Sequence, residues 1–298
     1  MKICLRTNYI SKDPETRRAY CVQIGATAAQ ESAKSIPAAV ERGYPTGAEL
    51  REYRKPFDEA GIEIIGLEPV LEPVRAWADD TPDGHAAFDV FKRHLDAAGE
   101  AGIPAVTLHP PLDDAKSAEE AERQFDGNVY FYRKASAAAR DAGTRLATHS
   151  PWPPEKGLWS ARTFMSIFDA VPDIENGMIF CFGCMGITRS DIFDALPKML
   201  PRINMVHVRD IVLHDGGVAN EPHGHGLIVP TTPIDEVFPG TGFVRPDMII
   251  GELHRLGYTG AIAPEHLPNV FGESWNEISM AWAIGYCHAA LQQAGASS

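Results

Sequence analysis

The stretch "AAFDVFKRHLDAAGEAGIPAVTLHP" (residues 86–110) decides the fold. Residues 86–102 read as a helix that stops at a glycine, and 105–110 read as a short apolar strand that starts almost at once. The same punctuation recurs as "AGI" (60–62), "AGI" (101–103), "AGT" (142–144) and "LGY" (256–258). A glycine that ends a helix and opens directly into a strand is the joint of a repeating αβ unit.

Working outward, eight strands are expected: "KICLRT" (2–7), "VQIGATA" (22–28), "IEIIGLEP" (62–69), "AVTLHP" (105–110), "RLATHS" (145–150), "MIFCFG" (178–183), "NMVHVRD" (204–210) and "AIAPEH" (261–266). Each is a short apolar run bounded by turn residues, as expected of strands buried on both faces. Helical patterns lie between them at 46–61, 86–102, 118–143, 189–200, 245–257 and 275–295. Residues 46–61 begin on Thr46 with Glu49 three positions on, a capping box. Eight strands alternating with helices in 298 residues fit a closed (β/α)₈ TIM barrel better than an open doubly wound sheet. No G-x-G-x-x-G follows the first strand, which removes the usual dinucleotide fingerprint. Residues 1–298 read as one TIM-barrel domain with long loops at 70–86 and 211–244. Both loops leave the C-terminal ends of strands, where barrel enzymes place their chemistry.

The net charge is −13, from 40 acidic and 27 basic residues, and no Lys/Arg stripe forms. Nucleic acid and anionic membranes are therefore not expected partners. The five cysteines are scattered and odd in number, so no disulfide framework is expected. The start of the sequence is too short in its apolar part for a signal peptide, no apolar stretch approaches ~20 residues, and a cytoplasmic location is expected. Barrels of this size often associate, so a homo-oligomer is allowed.

The ends of the last four strands carry His149, Cys181, His207 and Glu265 followed by His266. The steps 149 to 181, 181 to 207 and 207 to 265 are 32, 26 and 58 residues, the last lengthened by the 211–244 loop. Adjacent strands lie roughly 4.8 Å apart, so inward side chains at these ends can meet. His, Cys, His and carboxylate together make a shell for a divalent cation. Taken singly, a buried Cys is more often a small hydrophobe than a ligand. Cys184 is expected on the turn beyond Gly183, facing away. A redox reading of Cys181 and Cys184 is disfavoured because such pairs open a helix and Cys181 is expected inside a strand.

The run "CFGCMG" (181–186), then "RINMVHVRD" (202–210) and "VFPGTGFVRPDMIIGELHRLGYTGAIAPEHLP" (237–268), resembles the mannonate dehydratase family and its shorter relatives among the xylose-isomerase-like barrels. Residues 5–29 and 50–70 resemble that family's opening strands. The resemblance implies a barrel holding a divalent cation, usually Mn²⁺, that converts D-mannonate to 2-keto-3-deoxygluconate and water. By motif, the metal ligands would be His149, Cys181, His207 and Glu265; the last departs from the family, which has Asp there. His266 matches a histidine assigned to proton transfer, and a family tyrosine beyond it has no match. A thiolate ligand also suits Zn²⁺, Fe²⁺ or Co²⁺.

Such a dehydration needs an acidified α-proton, a base, and an acid or metal for the leaving hydroxyl. His266 is the candidate acid or base, and Arg209 the candidate clamp for a carboxylate. Arg6, Glu68 and His109 end strands one, three and four and are expected to line the substrate pocket. His223 and His225 in "NEPHGHG" (220–226) are expected at a lid tip touching substrate rather than on a second metal. Trp152 and Trp159 follow His149 on a Pro-rich loop, and each is equally a candidate to stack on a sugar ring or to pack in the core. The rival readings are a metal-dependent sugar isomerase or epimerase on the same barrel and a non-catalytic sugar-acid binding protein.

Overall fold

The computed structural model describes residues 1–298 except 8–9, 72–74, 116, 152–156, 215–224, 226, 229–233, 269, 271–276 and 296–298. Its strands are β1 (Lys2–Arg6), β2 (Ala28–Ser32), β3 (Glu63–Glu68), β4 (Ala105–Leu108), β5 (Arg145–Thr148), β6 (Leu158–Trp159), β7 (Asn176–Cys181), β8 (Ile203–Val208), β9 (Asp210–Leu213), β10 (Leu227–Ile228), β11 (Ile234–Val237) and β12 (Ala261–Pro264). Its helices are α1 (Pro14–Ile24), α2 (Pro37–Arg42), α3 (Gly47–Glu59), α4 (Pro82–Glu100), α5 (Ala118–Ala142), α6 (Ala161–Ala170), α7 (Phe182–Ile187), α8 (Ile192–Met199), α9 (Pro246–Arg255) and α10 (Glu277–Gln293).

Strands β1, β2, β3, β4, β5, β7, β8 and β12 close into a parallel barrel in that circular order, with β12 against β1. The expected (β/α)₈ architecture is the observed one. Inside the ring, small residues and three larger ones make a compact inner core, including Cys4, Ala28, Ile65, Ala147, Ile179 and Met205. The larger core lies between the ring and the helices, where Trp77, Phe91 and Phe131 pack with ring centroids 4.6 and 5.9 Å apart. Among the described residues, no helix is long and apolar enough to cross a membrane.

Several elements differ from the sequence reading, which has no counterpart for α2, α6 and α7. The second strand is Ala28–Ser32, not 22–28, because α1 runs through Ile24. Asp13 caps that helix, accepting from Thr16 N at 2.9 Å, Pro14 opens it, and Gly25 ends it at φ 73°. Helix α4 starts at Pro82 on a Thr81 cap, so the 70–86 loop is shorter than expected. The 211–244 segment is also structured in part: β9 pairs antiparallel with β11, and β10 with β6.

Asp210 anchors that segment. Its buried carboxylate accepts from Ile211 N (2.9 Å), Gly240 N (2.9 Å), Gly242 N (2.9 Å) and Val244 N (3.1 Å). Gly242 permits the approach, since a Cβ there would lie 2.3 Å from Asp210 Oδ1. Asp210→Ala orphans these amides and should lower unfolding stability by about 3 kcal/mol in urea titrations. A loss under about 1 kcal/mol would mean that water replaces the carboxylate readily.

Candidate metal centre

The barrel register lifts the four strand-end residues to one level. Cys181 closes β7 and sits beside His207 of β8, and His207 sits beside Ala263 of β12. Glu265 lies two residues beyond Ala263 on the same face, its amide still bonded to Val208 O at 3.2 Å. His149 follows β5 and continues the ladder through Leu108 O at 2.8 Å. Ligand atoms of His149, Cys181, His207 and Glu265 all lie within 4.8 Å of one another, and all four residues are buried.

The ring nitrogens are presented in a specific way. His149 Nδ1 donates to Ser150 O at 2.7 Å, which leaves Nε2 facing the cluster. His207 Nε2 is 3.4 Å from Gln30 Oε1, which leaves Nδ1 facing it. Those two inward nitrogens are buried, and their polar neighbours are members of the cluster itself. They stand 3.5 and 2.8 Å from Glu265 Oε2, and Cys181 Sγ stands 3.9 Å from it. Two buried imidazole nitrogens converging with a thiol and a carboxylate are the donor set that a divalent cation takes, and the outer nitrogens' contacts with Ser150 O and Gln30 Oε1 are its second-sphere support. The residues fit such an ion.

Electrostatics agree. Burial opposes charge on Glu265, but His207, His266 and His149 together hold its carboxyl well below the usual range. Burial pushes the Cys181 thiol well above its ordinary value. Burial also works against charge on His149, but Glu265 and Cys181 outweigh it and raise that imidazole to about 10. His207 is lowered to about 4, chiefly by burial. At neutral pH the Cys181 thiol and His149 therefore both carry protons that a cation must displace. Binding should release about two protons and tighten as pH rises. Calorimetry in two buffers of different ionisation enthalpy counts them, and a count of one or fewer would exclude Cys181 as a ligand.

A cavity of about 680 Å³ opens above the cluster, walled by Arg6, Gln30, Glu68, His109, His149, His207, Glu265 and His266 among others. Arg6 pairs with Glu265 Oε1 and with Glu68 Oε1. His109 donates from Nδ1 to Ser150 O at 3.0 Å and is held down to about 3, mainly by burial, so it stays neutral. His266 stands at φ 50°, a backbone region that non-glycine residues seldom occupy. Its Nδ1 lies 2.8 Å from Glu236 Oε1, and its Nε2 lies 3.9 Å from Glu265 Oε1.

Other expected site residues fall elsewhere. Arg209 is fully buried and is not a cavity wall; its Nη2 donates to Glu236 Oε1 at 2.5 Å and its Nη1 reaches Cys184 Sγ at 3.9 Å. Gly183 makes room for it, since a Cβ there would lie 2.6 Å from Arg209 Cδ. His225 stacks on Phe125 with centroids 3.5 Å apart and sits 2.8 Å from Glu122, on α5 and outside this cavity. Trp159 packs in the core beside Tyr132 and Phe164. Trp152 and His223 lie outside the described residues.

Cys181 is the last strand residue and also the cap of α7, and Cys184 is buried inside that helix rather than on an outward turn. The premise used against a Cys181–Cys184 redox pair, a cysteine interior to a strand, therefore does not hold. A hydrogen bond from Cys181 and the Arg209 guanidinium lower the Cys184 thiol, against its burial. The sequence pattern marks neither Gln30, whose strand β2 lacks an apolar run, nor Glu236, whose strand β11 lies within the long 211–244 segment.

A mannonate dehydratase of Streptococcus agalactiae serotype Ia is 26% identical over 244 residues, covering 72% of this chain and 64% of that relative's length. The chain thus spans under two thirds of the curated relative it matches. Among solved structures, mannonate dehydratase from Streptococcus suis serotype 2 superposes with TM-score 0.74 at 17% identity, covering 100% of this chain and 95% of the other. The IolI protein with a bound zinc atom superposes with TM-score 0.69 at 17% identity, covering 99% and 98%. A family model described as xylose isomerase-like TIM barrel matches residues 19–282, and the chain belongs to that family.

Proposed function

We propose that this chain is a divalent-metal-dependent dehydratase of sugar acids, acting on D-mannonate or a near relative to give a 2-keto-3-deoxy acid. The observation that carries this reading is the buried His149–Cys181–His207–Glu265 cluster at the floor of a polar cavity, with His266 beside it. Likeness to mannonate dehydratases supports the reaction, and the zinc-bound neighbour supports a divalent ion. Mn²⁺ and Zn²⁺ are the leading candidates.

When bound, the ion supplies Lewis-acid polarisation of the substrate's carboxylate and hydroxyl oxygens. The chain's own residues supply the rest. Glu236 holds His266 at Nδ1, which directs Nε2 towards the cluster as the nitrogen that takes or gives a proton. Neutral His109 presents a ring edge-on to His149, with centroids 5.2 Å apart, and its remaining nitrogen serves a substrate hydroxyl. Arg6 ties Glu265 to Glu68 and keeps the ligand carboxylate from swinging. Arg209 acts from behind, through Glu236, rather than on substrate.

Incubation with D-mannonate and Mn²⁺ tests the assignment. A 2-keto acid product supports dehydration; an epimeric acid or a ketose would replace it with isomerase or epimerase chemistry; binding without turnover would leave a sugar-acid binder. Co²⁺-loaded protein should show thiolate-to-cobalt absorption that Cys181→Ala removes, and its presence in the variant would sink the ligand set.

A further inference from the structure

Five consecutive barrel strands, β8, β12, β1, β2 and β3, each supply one side chain, from the strand or the residue just past it, to a closed circuit. His207 Nε2 lies 3.4 Å from Gln30 Oε1. Gln30 Nε2 donates to Glu68 Oε1 at 3.2 Å and reaches Thr107 Oγ1 at 3.4 Å. Arg6 Nη2 donates to the same Glu68 oxygen at 2.6 Å, while its Nη1 pairs with Glu265 Oε1. Glu265 Oε2 stands 2.8 Å from His207 Nδ1, which closes the loop. Gly66 keeps the interior open for the buried Gln30 stem, since a Cβ there would lie 3.4 Å from Gln30 Cγ and 2.9 Å from Met205 Cε.

The circuit has a direction. A carboxylate only accepts hydrogen bonds, so Glu68 turns the amide nitrogen of Gln30 towards itself. The amide oxygen then faces His207, which donates from Nε2 and keeps the Nδ1 lone pair for the cluster. Glu68 also anchors one arm of the Arg6 fork, and the other arm occupies Glu265 Oε1 and leaves Oε2 for the cluster. One carboxylate on β3 thereby selects the inward atom of two donors on other strands. His149 is set separately, by Ser150 O.

We propose that Glu68 is a positioning residue for the cation rather than a substrate contact, acting on His207 through Gln30 and on Glu265 through Arg6. The inference rests on the metal reading above and extends it to side chains that are not among the ligands.

Calorimetric titration of chelator-treated protein with Mn²⁺ is the test. Gln30→Met removes the amide without changing charge. Glu68→Asp keeps the charge but withdraws it by one methylene, so an effect of charge alone would spare this variant. Each should weaken Mn²⁺ binding about tenfold or more, the usual cost of losing an outer partner of a ligand. The double variant should bind no more weakly than Glu68→Asp alone, because Gln30 relays only what Glu68 supplies. In Co²⁺-loaded Glu68→Asp the visible ligand-field bands should shift while thiolate-to-cobalt absorption stays, since Cys181 lies outside the circuit. Glu68 is half-buried and takes the shorter side chain readily, so the test stands even where Gln30→Met does not fold. Unchanged Mn²⁺ affinity with a raised KM for D-mannonate would make Glu68 a substrate contact, overturning the inference and leaving the metal reading intact. Losses that multiply in the double variant would overturn the relay through Gln30. No uptake of Mn²⁺ or Co²⁺ by the parent protein would overturn both readings.

Discussion

Replacing His266 by Asn should lower the turnover number by about 10²–10⁴, the range that a positioned proton-transfer group contributes. Asn suits the test because it tolerates the left-handed backbone that His266 adopts at φ 50°, so the chain path is retained while the imidazole is lost. Cation affinity should be unchanged, since His266 Nε2 lies 3.9 Å from Glu265 and outside the four-donor cluster. Steady-state kinetics and metal titration of the same preparation decide it. Near-normal turnover would remove His266 from the chemistry; a parallel loss of cation would make it part of the ion's support instead.

Arg17→Met should cost about 3–5 kcal/mol of unfolding stability, the penalty for breaking a buried ion pair on one side only. The pair is enclosed, with side-chain exposures of 2% for Arg17 and 0% for Glu31. Glu31 also accepts from Thr7 and, at 2.6 Å, from the Tyr53 hydroxyl, which cannot replace a full positive charge. Burial already raises the Glu31 carboxyl above its ordinary value. The variant's deficit should therefore shrink as pH falls, because Glu31 can then take a proton and shed its charge. Arg17→Met/Glu31→Gln should recover most of the loss at neutral pH. Urea unfolding of both variants is the check; a single variant within about 1 kcal/mol of the parent protein would show that the pair is well hydrated.

Much of this was written plainly in the chain. The glycine-stopped helices gave the alternation, and β3, β4, β5, β7, β8 and β12 lie close to where their apolar runs placed them. The four residues that converge could be named from their places at strand ends alone. What failed did so for physical reasons. Strand β2, "AAQES", is short of apolar side chains because Gln30 and Ser32 line the cavity instead of a core. A strand that serves a site loses the pattern by which strands are recognised. The apolar run at 22–28 looked more like a strand, although Asp13 and Pro14 already marked a helix start before it. Glu236 and the burial of Arg209 depend on β9 pairing with β11, a contact no local pattern encodes.

The pairing of β1 with β12 has a last consequence. Arg6, near the start of the polypeptide, grips a carboxylate contributed by position 265, so one of the four clustered donors is braced from across the seam where the ring is sewn shut. All four donors come from residues 149–265, but the brace on the last of them needs the opening strand. A partial unzipping at this seam would leave that carboxylate free to swing while most helices were still wound.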